Sequence, residues 1–202
     1  MELLDALRLH RLEPGPFLDQ AITPAHWRLL IESAARSPSH FNSQPWRFII
    51  IEDEAVRRAI SGAPDAAPLD PALLAITLNR GEYKPGELQG LYSTITLGAV
   101  VQALSLVAAS IGIGLRFVPV EQRHSAISGA LRVPDNQFLA ILFGIGYRAE
   151  PAAPGQDAMP TGAPVPPPLS TLVALDSWGA PLPEALIGQQ SVLWPGADPG
   201  TR

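Results

Sequence analysis

The sequence contains no cysteine in its 202 residues. That absence excludes disulfides, thiolate metal sites, cysteine nucleophiles and dithiol redox chemistry together. Any electron transfer by this chain therefore has to be carried by a bound cofactor. Histidine is scarce too: His10, His26, His40 and His124 show none of the i,i+4 spacing that zinc sites use, so no metal site is expected. Basic residues are outnumbered, 14 Lys and Arg against 19 Asp and Glu, for a net charge of −5. With no basic stripe either, a nucleic-acid-binding surface is excluded, because that task needs clustered cations to neutralise phosphates.

Other signatures are missing as well. There is no P-loop and no Gly-x-Ser-x-Gly elbow. Gly112-x-Gly114 and Gly144-x-Gly146 lack the third glycine of a dinucleotide fingerprint, and read as strand-edge turns. The first residues, Met1-Glu2-Leu3-Leu4-Asp5, carry acidic side chains and no long apolar run, unlike a signal peptide. From Leu88 to Leu115 charge is absent altogether, but Ser93, Thr94, Thr96, Gln102, Ser105 and Ser110 interrupt the run. It reads as a helix buried in the middle of a soluble protein rather than as a membrane span, and a cytoplasmic location is expected.

What is present is enough apolar sequence, 47% of the residues, to bury one substantial core. Residues 3–12 read as a short helix ended by Pro14-Gly15-Pro16. Thr23-Pro24 is a helix start, with a capping hydroxyl and proline at the first helical position; the helix stops before Pro38. Trp46 to Ile51 is a β-rich run, Asp53 to Ile60 a helix, and Ala72 to Leu78 a second buried strand. After an exposed loop over 79–90 comes the long apolar helix, about Tyr92 to Ile111. A short strand over Arg116 to Val120, a helix near Arg123–Leu131 and a strand near Phe138–Tyr147 complete the core. Residues 151–168, rich in Pro, Ala and Gly, read as an extended linker. The last residues carry apolar patches without regular period, suited to packing on something else.

The stretch with most chemistry in it is Ser37-Pro38-Ser39-His40-Phe41-Asn42-Ser43-Gln44-Pro45, leading into Trp46-Arg47-Phe48. It offers hydroxyl, imidazole and amide groups within a few residues, a mixture of donors and acceptors that suits the polar edge of a planar heterocycle. The same residues also suit an ordinary capped turn. The stretch closely resembles the flavin-binding loop of the nitroreductase family, whose pattern is Ala/Ser-Pro-Ser-x-x-Asn-x-Gln-Pro-Trp-x-Phe. The resemblance extends over about residues 5–175, including the helix from Thr23, the helix ending Leu106 to Gly112, and the Leu142–Tyr147 strand.

The resemblance implies an α+β fold: a mixed, mostly antiparallel sheet flanked by helices, with a long buried central helix. It implies residues 1–175 as a flavin-binding domain, with 176–202 as an extension packing on the domain or on a partner subunit. It further implies a homodimer with FMN at the subunit interface. Pro38, Ser39, His40 and Asn42 would meet the flavin of the second subunit. Val118-Pro119-Val120-Glu121-Gln122 is similar to the family segment whose backbone passes the flavin N5 edge, which puts Pro119, Val120, Glu121 and Gln122 among the cofactor contacts. No protein side chain is expected to be catalytic, since hydride transfer runs through flavin N5. The implied function is an FMN-dependent oxidoreductase that takes electrons from NADH or NADPH and reduces nitroaromatics, quinones or similar planar acceptors by a ping-pong mechanism.

The chain departs from the family where the flavin phosphate is held. Of the pattern Arg-x-Ser-x-(Arg/Lys)-x-(Phe/Tyr), Arg11 and Phe17 are kept, while Glu13 and Gly15 replace the serine and the second base. A carboxylate beside a phosphate dianion is repulsive by about 1–4 kcal/mol. A later basic cluster should fall near 163–168, where the sequence is Ala-Pro-Val-Pro-Pro-Pro. Replacement bases are available in Arg8, Arg80, Lys84 and Arg148, with Arg80 the preferred one. The alternative is a flavin-binding or scaffold dimer with little or no turnover. Arg116, just before the flavin-edge segment, suits either an anionic substrate or plain solvent.

Overall fold

The structure, a computed structural model, describes residues 2–10, 12, 16–61, 68–79, 89–149, 172–177 and 181. In chain order the elements are α1 (Leu3–Leu9), α2 (Pro24–Ala35), β1 (Trp46–Ile51), α3 (Glu54–Ser61), β2 (Ala72–Asn79), α4 (Gln89–Ser110), β3 (Ile113–Phe117), α5 (His124–Ala130) and β4 (Gln137–Tyr147). The helix starts follow the capping signals in the sequence. Thr23 accepts from the His26 N–H at 3.2 Å with Pro24 in the first helical position, and Asp53 accepts from the Val56 N–H at 2.9 Å.

The strands form one sheet in the order β1-β2-β4-β3, each neighbouring pair antiparallel. β2 is buried along seven of its eight residues because the sheet is covered on both faces. Trp27, Leu30 and Ala34 of α2 and Val100, Leu104 and Ala108 of α4 pack on one face, against Trp46, Leu74, Ile76, Phe143 and Ile145. Ile60 of α3 and Ile127 of α5 pack on the other, against Ile51, Leu73, Ala75, Leu139 and Leu142. A register shift between Ile76 and Thr77 lets Leu139 keep to that second face.

Three expectations are corrected. β3 begins at Ile113 and ends at Phe117, not over 116–120, because Ile113 to Phe117 pair residue for residue with Tyr147 to Phe143. Pro119, which has no N–H to donate, lies beyond its end. Gly144 and Gly146 are not at a strand-edge turn but inside β4, where other chain segments lie directly on the strand: a Cβ at Gly146 would sit 2.9 Å from Pro71 Cγ and 3.0 Å from Phe17 Cβ. Of the other pair, Gly112 is the turn, with φ +75 after α4, and Gly114 is strand.

α4 is the long central helix, and it is buried along one face only. Thr96, Val100, Leu104, Ser105, Ala108 and Ala109 are inside, while Leu91 and Ile95 are 52% and 59% exposed. By length and composition Gly90–Ser110 could cross a membrane, with 28% of its most apolar window buried. It packs against α1, α2 and β3.

The chain divides into two compact units, Met1–Ala152 and Ala153–Arg202. Of the second unit only 172–177 and 181 are described.

Candidate functional site

The loop from Ser37 to Pro45 joins α2 to β1, and its backbone is unusual. Phe41, Asn42 and Gln44 have φ of 51°, 55° and 46°, in the left-handed region. Asparagine tolerates that region, but Phe41 and Gln44 do so at about 1–2 kcal/mol each. The conformation is held from within. Asn42 N–H donates to Ser39 C=O at 3.0 Å, Ser43 N–H to His40 C=O at 3.1 Å, and Gln44 N–H to Ser39 Oγ at 3.0 Å. The Gln44 amide donates to Asn42 Oδ1 at 3.1 Å, which leaves the exposed Asn42 NH2 to donate outward.

The rest of the fold pins the loop at both ends. Ser37 Oγ donates to Ala99 C=O of α4 at 3.2 Å, and Asn79 N–H of β2 donates to Pro45 C=O at 2.8 Å. In between, the His40 ring lies parallel to the ring of Tyr92, with centroids 3.6 Å apart and planes 16° apart. Phe41 meets the same imidazole edge-on at 4.2 Å and is itself 84% exposed. Ser43 Oγ is buried with no hydrogen-bond partner among the described residues.

The second candidate segment leaves the sheet at β3. Val118 N–H still donates to Leu142 C=O at 2.9 Å, after which Pro119, Glu121 and Gln122 are exposed; Glu121–Arg123 forms a 3-10 turn. Val120 is half-buried against the second core face. Arg123 Nη2 donates to Ala59 C=O at 2.8 Å, tying this turn to the last turn of α3.

Both segments face the same end of the sheet, but on opposite edges. β1 starts level with Leu78 and Phe138, and β3 runs toward that same end. Two strands separate β1 from β3, so the edges are about 14 Å apart at the usual inter-strand spacing. Within one chain the structure does not bring the two segments together.

Arg116 is engaged by neighbours within its own fold. It forms an ion pair with Asp70 and its guanidinium lies 5.2 Å over the Phe17 ring. Phe17 bridges to Arg148 beside the end of β4, and Arg148 is buried there. Arg11, Glu13, Gly15, Arg80, Lys84 and 163–168 lie outside the described residues, as does the Arg8 side chain. Tyr92 was missed in the sequence. Its only signal there was an aromatic at the start of a helix whose polar loop partner lies 52 positions away.

Comparison with known proteins agrees with this architecture. A model of the Nitroreductase family matches residues 16–69, which include the whole loop. A protein of Archaeoglobus fulgidus assigned as an NADH dehydrogenase/NAD(P)H nitroreductase is 25% identical over 134 residues, covering 65% of this chain and 77% of the relative. Among solved structures, NfrA1 nitroreductase from B. subtilis aligns with a TM-score of 0.71 at 16% identity over 88% of this chain and 75% of its own. A nitroreductase family protein from Clostridium difficile gives 0.69 at 19%, over 88% and 99%. The FMN complex of a Desulfovibrio desulfuricans protein assigned to the nitroreductases gives 0.63 at 19%, over 82% and 99%.

The fold that these likenesses define is the α+β nitroreductase fold. Within it, residues 16–69 match the Nitroreductase family model, and the Archaeoglobus relative is similar over 134 residues.

Proposed function

We propose that this chain is an FMN-dependent oxidoreductase that takes electrons from NADH or NADPH, acts on planar acceptors such as nitroaromatics or quinones, and works in the cytoplasm as a homodimer. The observation that carries the reading is the 37–45 loop: three left-handed residues, tied internally and at both ends, that turn the Asn42 amide outward. Holding a polar loop in so costly a shape makes sense where the shape itself meets a ligand.

The residues fit the flavin in kind. Asn42 offers amide donors, Ser39 a hydroxyl, and His40 an imidazole with one face stacked on Tyr92. Ser43 Oγ, buried beside them, has no hydrogen-bond partner among the described residues. On the other edge, the segment from Pro119 to Gln122, exposed at Pro119, Glu121 and Gln122, would lie along the reactive side of the ring. When bound, FMN supplies a centre that accepts hydride and donates electrons. The chain's own part is to hold and orient it and to favour charge on it through backbone donors.

A second copy of the chain answers the separation of the two segments. The loop of one protomer would reach the 118–122 segment of its partner across the exposed apolar side of α4, where Leu91 and Ile95 lie bare.

One sequence observation favours a second reading, a flavin-binding or scaffold dimer with little turnover: Glu13, Gly15 and a base-free 163–168 stand where phosphate partners are expected. An absorbance spectrum of the purified protein, with mass identification of any released ligand, separates the two. Released FMN, bleached on the protein by NADH or NADPH, supports the oxidoreductase. A colourless protein that takes up no added FMN overturns it and favours the scaffold.

A further inference from the structure

We propose that Tyr92 is a positioning residue: by stacking on His40 it holds the 39–44 loop in the shape that presents Asn42. What the loop is for rests on the flavin reading above; the clamp itself does not.

The loop needs a clamp. Phe41, Asn42 and Gln44 are all left-handed within four residues, and Phe41, a bulky residue, is an outlier there. The internal hydrogen bonds of the turn are short-range and mostly near solvent, so they do not by themselves outlast local opening. Ser37 Oγ to Ala99 C=O and Asn79 N–H to Pro45 C=O fix the ends and leave the seven residues between them to be positioned.

α4 is built to do it. Tyr92 and Ala99 are seven residues apart, two turns, so they lie on one face of the helix. That face receives Ser37 at one level and His40 at the next. The Tyr92 and His40 rings are 3.6 Å apart and nearly parallel, and the Phe41 ring meets the same imidazole at 4.2 Å with the two planes 60° apart. The three rings form a ladder from the helix to the exposed tip of the loop. Turning the imidazole away would uncover Tyr92 and release Phe41 with it.

The test compares Tyr92→Leu and Tyr92→Phe in the purified full-length chain, with two readouts. The first is amide hydrogen exchange over 39–45 without ligand. The second is the dissociation constant for FMN, from quenching of its fluorescence. Leucine keeps apolar bulk and helix propensity but removes the ring, so the helix should stay folded. Exchange over 39–45 should rise in Tyr92→Leu, and its FMN constant should weaken about twofold to tenfold, the range for a lost aromatic pair. Tyr92→Phe should restore both.

Wild-type exchange in Tyr92→Leu overturns the clamp, and so does a phenylalanine variant that behaves like leucine. Faster exchange with unchanged FMN affinity overturns the positioning role. Faster exchange in a chain whose wild type binds no FMN upholds the clamp and removes the flavin reading instead.

Discussion

Asp70 occupies the space that a side chain at Gly144 would need: a Cβ built on Gly144 stands 2.6 Å from the Asp70 Cγ. The carboxylate held there is the one that pairs with Arg116, which faces Gly144 across the β3–β4 ladder. One missing methyl group in the strand thus makes room for an ion pair on top of it.

Gly144→Ala should therefore push Asp70 off the strand and disturb the Arg116 pair. Overpacking of this kind costs about 1–3 kcal/mol, which for a chain of this size lowers the melting temperature by about 3–10 °C. Calorimetry on the two proteins checks it; an unchanged transition would mean that Asp70 moves aside freely.

Asn42→Ala removes the outward amide and the acceptor for the Gln44 side chain. Flavin affinity should fall about threefold to tenfold, the worth of one or two hydrogen bonds, with the oligomer intact by light scattering. Undiminished flavin content would remove the loop from the binding site.

Arg11→Ala tests the one base of the expected phosphate pattern that the sequence keeps. A hydrogen bond to a charged group is worth about 1.5–3 kcal/mol, so FMN affinity should drop at least tenfold while riboflavin affinity stays near wild type. Equal losses for both ligands would show that Arg11 does not hold the phosphate.

Glu54 lies in the first turn of α3, where Arg58 hydrogen-bonds to its carboxylate at 2.8 Å and lowers its pKa, first through that bond and then through charge. A lowered carboxylate pKa means that the folded state favours the ionised form. The contribution is complete above the unfolded value and disappears as pH falls through the lowered, folded one. Glu54→Gln should hence lower the unfolding midpoint slightly at pH 7, and the difference should close in acid and in high salt. A difference that persists at pH 2 would assign the effect to packing.

Much of the architecture could be read from local signals. Trp46–Ile51 was bounded correctly because an apolar run follows a proline-closed loop, and α2 because Thr23 and Pro24 mark its start. β3 was placed three residues late because Gly112 and Gly114 mask the strand, and its pairing with β4 lies about thirty residues away. Arg116 looked like a ligand or solvent arginine because Asp70 and Phe17 are distant in sequence.

By itself, the sequence excluded thiol chemistry through its lack of cysteine, and set the order of helices and strands through periodicity and caps and the polar character of the 37–45 loop through its residue types. Those are local properties, written in neighbouring side chains. Only the tertiary structure decided that Tyr92 carries His40, that Asp70 and Phe17 lie over glycines of a central strand, and that the two candidate segments stand on opposite edges of the sheet. Each of those depends on which remote surfaces meet when the sheet is buried between its helices, and no short stretch of chain encodes such a meeting.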